Sequence, residues 1–251
     1  YTYRTRDDVA EWRERCPIKR FGEWIVAEGI AGPEELQEID DELKNRARLA
    51  ADSAEKDPWP SGKSAAQHVY ADGSASQAVS VPAGTREQTF VGATLEALDF
   101  EMARNPAIFV MGEGIGSRGG NFATTTGLFQ KYGAERLCDT PICERGFVGL
   151  ACGAAMTGSR PVVDFMFVDV SNDAFGEIIN QIAKMRYMSS GRLKMPILLR
   201  GCIGIGHSAA THHSGSYHSI YAHIPGLRVV VPATPYDAKG LFQRALRCDD
   251  P

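Results

Sequence analysis

No apolar run in the 251 residues reaches the ~18–20 needed to span a bilayer as a helix, so no membrane partner is expected. The six cysteines (Cys16, Cys138, Cys143, Cys152, Cys202 and Cys248) form no C-x-x-C pair and show no metal-type spacing. That pattern fits reduced thiols in a cytoplasmic protein and gives no reason to expect a metal site made by this chain alone. Basic residues are scattered, and 27 Lys and Arg stand against 31 Asp and Glu for a net charge of −4, so no nucleic-acid surface is indicated. The chain also lacks an initial methionine, starting at Tyr1. It stops at Asp249-Asp250-Pro251, directly after a helix-like segment where another strand is expected, and we read it as an excerpt of a longer polypeptide.

What is present has ordinary globular composition, 43% hydrophobic and 23% charged. The length allows one large α/β domain with an appendage, or two small domains. Three zones differ. Residues 1–57 are charge-rich and helical in pattern: acids open a first helix at Asp7-Asp8, and Pro17 and Pro33 each start another in the position proline favours. Leu36, Ile39, Leu43 and Ala47 recur at helical spacing along the third. Residues 58–86, with Pro58, Pro60, Gly62, Gly73, Pro82 and Gly84, have almost no periodicity and read as a linker.

From residue 87 onward, short apolar runs alternate with helical patterns. Strands are expected at Ala107–Met111, Val162–Met166, Pro196–Arg200 and Leu227–Val231, and helices at Thr89–Asn105, Asn172–Met188 and Tyr236–Arg247. The alternation predicts an α/β fold with a doubly wound, mainly parallel sheet, whose ligands bind at the carboxyl ends of the strands.

Glu144 stands out within this zone. It lies in a turn between the apolar approach Arg136-Leu137-Cys138 and a small-residue helix at Gly149–Met156, after Pro141 and before Gly146. Alone, an acid at a helix entrance need be no more than a dipole partner, contributing about 0.3–1 kcal/mol. A second motif, Gly114-Ile115-Gly116-Ser117-Arg118-Gly119, spells the dinucleotide fingerprint after a strand. Glu113 at its mouth, the continuation through Gly120-Asn121 and the weak helix start at Ala123–Gly127 all argue against a pyrophosphate there. The histidines His207, His212, His213, His218 and His223 crowd one Gly/Ser/Ala loop, where solvation, metal ligation and catalysis remain open on residue type alone.

Larger stretches carry a resemblance. Met111-Gly112-Glu113, Gly120-Asn121-Phe122, Asp139-Thr140-Pro141-Ile142, Gly153-Ala154-Ala155-Met156, Ala183–Ser189 and Tyr221–Leu227 are similar to the beta subunit of thiamine-diphosphate-dependent 2-oxo acid dehydrogenases, from about residue 87 to 251. Residues 1–57 resemble the C-terminal helices of the alpha subunit, through Tyr3-Arg4-Thr5-Arg6 and Asp57-Pro58, so the chain looks like the junction of an alpha–beta fusion. The resemblance implies a transketolase-like pyrimidine-binding domain. It assigns Glu144 to the aminopyrimidine of thiamine diphosphate, Glu113 to a proton relay beside it and His213 to proton transfer or substrate orientation, with Ile142, Met166 and Val170 lining the cofactor pocket.

The implied activity is oxidative decarboxylation of a 2-oxo acid with acyl transfer to lipoyl groups. The implied partners are an alpha-type diphosphate-binding domain, which would hold Mg2+ and the diphosphate through a G-D-G…N motif absent here, a lipoyl acyltransferase core, and further copies in a homo-oligomer. Ketol transfer of the transketolase kind and a non-catalytic assembly module are the rivals. Three positions depart from the family pattern: Val170 replaces an aromatic residue, Cys202 a proline, and Cys248 an aspartate that helps bind potassium in some members.

Overall fold

The computed structural model describes residues 5–67, 69–71 and 84–251. They divide into two compact units, one up to Gly62 and one from Lys63 onward. In the first, three helices follow one another: α1 (Arg6–Glu14), α2 (Pro17–Ala27) and α3 (Pro33–Lys56). Thr5 and Asp8 cap α1 reciprocally, the Thr5 hydroxyl accepting the Asp8 N–H at 3.1 Å while the Asp8 carboxylate accepts the Thr5 N–H at 2.8 Å. None of these helices buries a residue, and Trp12, Phe21, Trp24, Ile39 and Leu43 are exposed within this chain.

The second unit contains α4 (Phe90–Arg104), β1 (Ile108–Gly112), α5 (Leu128–Tyr132), β2 (Leu137–Asp139), α6 (Glu144–Met156), β3 (Arg160–Phe167), α7 (Ala183–Met188), β4 (Leu198–Cys202), α8 (His218–Ala222) and α9 (Pro235–Arg247). All strand pairs are parallel, in the order β2-β1-β3-β4. Alternation along the strands feeds two cores. Val110 and Val162 point to Leu98 and Met102 of α4 and to Phe242 and Leu246 of α9. Met111 and Val163 point to Phe147, Val148 and Ala151 of α6 and to Ile178 and Ile182. Both faces are thus covered, as a parallel sheet requires, and the fold is doubly wound α/β.

Three local expectations are corrected. Leu227–Val231 forms no ladder among the described residues; Val229, Val230 and Val231 are exposed, and the Arg228 N–H donates to the Pro251 carbonyl at 2.9 Å. The helix expected over 172–188 starts earlier and is irregular, a 3-10 stretch at Val168–Ala174 and a widened π turn at Glu177–Ile182 preceding α7. Glu144 is the first residue of α6, not part of a turn before it. Of the segment read as a linker, residues 68 and 72–83 lie outside the described residues. Beside them, the Tyr70 hydroxyl donates to the Leu227 carbonyl at 3.2 Å, and the Ala71 N–H donates to buried Asp250 at 3.0 Å.

Candidate active site

Glu113, Ile142, Glu144, Met166, Val170 and His213 all fall at the carboxyl edge of the sheet, because each belongs to a strand end or to the segment that follows one. Glu113 directly follows β1. Glu144 opens α6 a few residues after β2, and it is buried at 6% exposure. Its place in the first turn suits an anion, since the start of a helix carries partial positive charge. Cys143, the residue at the cap, makes no side-chain cap bond.

The Glu113 and Glu144 carboxyls are neighbours. Burial, and then the neighbouring Glu144 charge, push the Glu113 carboxyl above the usual range, with Asp139 adding to the effect. A carboxyl raised in the folded state binds its proton more tightly there than in the unfolded chain. Its stabilising contribution is therefore complete below the ordinary glutamate range and is lost as pH rises through the raised value. Melting temperatures of the parent and of Glu113→Gln, compared across that interval, are expected to converge and then cross in favour of the variant as pH rises. A pH-independent difference would mean that the Glu113 carboxyl is not raised in the folded state.

The glycine-rich loop after β1 wraps a protein carboxylate. Gly114 donates its N–H to Asp139 Oδ1 at 2.6 Å, and a Cβ at Gly116 would sit 3.0 Å from Asp139 Oδ2. Gly120 N–H to Gly114 O at 2.9 Å and Thr125 Oγ1 to Ile115 O at 2.7 Å close the loop on itself, and no helix begins before Leu128. The dinucleotide fingerprint thus has neither the free donors nor the immediate helix that a pyrophosphate needs.

On the far side of β3, Met166 takes a left-handed conformation (φ 64°) at a bulge between Asp164 and Phe167. The bulge turns the chain into the 3-10 stretch that carries Val170, which is half-buried against the α6-side core. The His213 ring stacks on Phe167 with centroids 4.6 Å apart and planes within 14°. Phe122 of the glycine loop meets Phe167 and His207 edge-on, both at 5.1 Å. The histidine loop is tied at its base by Gly204 N–H to Gly215 O and by Gly215 N–H to Asp169 Oδ1, both 3.0 Å. His207, His212, His218 and His223 are exposed, and Ile142 is 82% exposed. The structure therefore joins Glu113 to Glu144, places Met166, Val170 and His213 across β3 from them, and leaves Ile142 at the surface of this chain.

Sequence reasoning missed Asp164 and Arg200, an ion pair at 2.6 Å in which both side chains are largely buried, and Phe167 and Asp169, which hold the histidine loop. Charged residues within apolar strands were the available signal for the pair.

The arrangement has unmet polar demand. Thr140 Oγ1, Asp169 Oδ2 and His213 Nδ1 are buried without partners, and all three belong to this edge. Buried polar atoms without partners are uncommon and mark places where a ligand or water belongs. With the paired carboxyls, they fit a polar heteroaromatic ring. They do not fit a diphosphate–metal group: among the described residues no three His, Cys, Asp or Glu side chains converge to hold a metal ion, and no helix of those residues is long and apolar enough to cross a membrane.

Comparison with known proteins agrees with this fold. The model of the transketolase pyrimidine-binding domain matches residues 86–251, and that of the dehydrogenase E1 component matches residues 1–63. Pyruvate dehydrogenase E1 component subunit beta-2, mitochondrial, of Oryza sativa subsp. japonica is 46% identical over 169 residues, 67% of this chain and 45% of its own. The 2-oxoisovalerate dehydrogenase subunit beta of Bacillus subtilis is 42% identical over 163 residues, 65% and 50% of the two chains. The acetoin:2,6-dichlorophenolindophenol oxidoreductase subunit beta of Cupriavidus necator is 44% identical over 166 residues, 62% and 49%. The chain thus spans about half the length of the curated relatives it matches. A solved structure, "Split gene transketolase, inactive beta4 tetramer", superposes with a TM-score of 0.51 at 22% identity over 64% of this chain and 49% of that one, a likeness of fold. With the parallel sheet and the match over 86–251 together, the chain belongs to the transketolase pyrimidine-binding domain family, preceded by a segment of the dehydrogenase E1 component type.

Proposed function

We propose that this chain supplies the pyrimidine-side half of a thiamine-diphosphate site in a 2-oxo acid dehydrogenase, which decarboxylates its substrate oxidatively and passes the acyl group to lipoyl groups of a complex. The observation that carries it is the buried Glu144 carboxyl at the start of α6, beside the raised Glu113 carboxyl. When bound, thiamine diphosphate supplies the nucleophilic carbon and the electron sink that decarboxylation requires.

Glu144 would hold the aminopyrimidine ring by a hydrogen bond and a proton at its carboxyl. Glu113 stores or returns that proton, a role suited to a carboxyl whose affinity for protons is raised. His213, its ring fixed by Phe167, orients the substrate or moves a proton at its free nitrogen. Met166, Val170 and Ile142 line the pocket, and Val170 leaves it wider than an aromatic residue would.

Because no donor set among the described residues suits Mg2+, the metal and the diphosphate fall to an alpha-type domain, and the match of residues 1–63 to a dehydrogenase E1 component supports such a domain as partner. The same match favours oxidative decarboxylation over ketol transfer. A homo-oligomer, a lipoyl acyltransferase core as acceptor and a cytoplasmic location complete the reading, the last supported by six free cysteines.

The test uses the full polypeptide with its diphosphate-binding domain, thiamine diphosphate and Mg2+, on pyruvate, branched-chain 2-oxo acids and acetoin, with an artificial electron acceptor. Cofactor-dependent turnover of one substrate class is expected. Silence on all of them, with ketol transfer detected in a parallel assay, would replace the proposal.

A further inference from the structure

Asp164 is a charged residue in the middle of an apolar strand, buried at 7% exposure. Both of its carboxylate oxygens are bonded. Oδ2 accepts from Arg200 Nη2 at 2.6 Å, Arg200 Nε at 3.1 Å and Thr124 Oγ1 at 2.8 Å, and Oδ1 accepts the Met166 N–H at 3.0 Å. Arg200 Nη2 also donates to the Thr124 carbonyl at 3.4 Å.

These partners belong to three different segments. Arg200 is opposite Asp164 in the β3–β4 register and begins the path to the histidine loop. Thr124 lies on the glycine loop that starts with Glu113, and within that loop Asn121 Nδ2 donates to the Glu113 carbonyl at 3.2 Å. Met166 is the left-handed residue of the bulge, and holding its N–H sets the direction in which Phe167 meets His213. Gly112, the residue before Glu113, lies opposite Asp164 on β1 and so close that a Cβ would come within 2.3 Å of the Asp164 carbonyl.

We propose that Asp164 is a positioning residue. From the central strand, through Thr124 on one side and through Met166 and Arg200 on the other, it sets Glu113 and His213 in fixed relation. The proposal rests on the function proposed above. Two halves of a site on different loops lose rate steeply when one drifts, by as much as about 100-fold for a displacement of about 1 Å. A carboxylate taking four donors is a rigid means of preventing the drift.

The test is made in the full polypeptide with its diphosphate-binding domain, and it reads the rate and the pH profile. Asp164→Asn removes the charge that pairs with Arg200. Because a buried cation left unpaired can prevent folding, Thr124→Val is the decisive variant: it keeps the shape of the side chain, the Arg200 pair and the Met166 bond, and removes only the hydroxyl bond by which Asp164 holds the loop, leaving the weaker 3.4 Å contact of Arg200 with the Thr124 carbonyl. Thr124→Val is expected to lower kcat on the order of 10- to 100-fold with KM little changed. It is also expected to move the acid limb of the kcat profile to lower pH. A loosened loop exposes Glu113 to water, while the acids that raise it, Glu144 on α6 and Asp139 at the end of β2, remain, and Arg200 stays paired to Asp164. Thr124→Val with parental kcat and an unmoved limb, in a preparation where Glu144→Ala is inactive, overturns the proposal and leaves Asp164 a structural ion pair. If Glu144→Ala is also fully active, the function itself is wrong, so the two failures are separable.

Discussion

Replacing Glu144 by alanine is expected to lower cofactor-dependent turnover by about 10²- to 10⁴-fold, the usual worth of a positioned proton-transfer group. The effect should fall on the rate and not on folding. Glu144 sits at the start of α6, where an acid contributes about 0.3–1 kcal/mol through the helix dipole. Its removal also relieves the charge beside Glu113, which offsets part of that loss. Melting curves close to the parent's, together with collapsed kcat, are the expected pair of results. Glu144→Gln separates the two roles of the carboxyl, because the amide keeps the size and a hydrogen-bonding oxygen but cannot take up the proton. Glutamine is therefore expected to restore cofactor affinity without restoring rate. Parental turnover in Glu144→Ala would sink the assignment of this site.

The second large effect concerns stability. Gly112 ends β1 at φ +152°, a conformation that side chains rarely adopt, and an added Cβ would lie 2.3 Å from the Asp164 carbonyl. Gly112→Ala must part β1 from β3 at the edge where the site is built, and this obstacle is backbone that no rotamer change can clear. Backbone strain and overpacking each cost about 1–3 kcal/mol, so roughly 2–6 kcal/mol is expected, a large share of the 5–15 kcal/mol that holds a typical domain together. Urea titration of the full polypeptide would show a lowered midpoint, or expression would yield insoluble protein. A midpoint equal to the parent's would show that the strands separate at Gly112 without cost.

Much of the fold was legible because β1, β3 and β4 are apolar runs bounded by helical patterns, and the alternation of the two fixes a parallel sheet. The run Leu227–Val231 looks the same in composition, yet pairing is a property of two segments, and the backbone acceptors its N–H groups find, Ile224 for Leu227 and Pro251 for Arg228, lie on no strand. Likewise, the stretch 172–188 carries helical spacing, but the 3-10 and π turns at its start reflect how the chain leaves the bulge at Met166, a tertiary cause that spacing does not encode. At the site, Glu144 and Glu113 drew notice as acids next to glycines, and the resemblance gave them roles. Their mutual contact needed the β1–β2 pairing to appear. Asp164 and Arg200 passed as ordinary strand residues because their partnership exists only across the β3–β4 register.

The strand order has a kinetic consequence. β1 pairs with β2 and β3, and β3 pairs with β4, always in parallel, so among these strands no neighbouring pair can zip together through a tight hairpin. Each ladder waits for a crossover segment to be made and packed, and the loop-closure entropy of that wait must be met before any pairing rewards it. A nascent chain released before β3 is complete therefore holds β1 with one edge open, and the slow step of folding is expected to be the docking of β3 between β1 and β4.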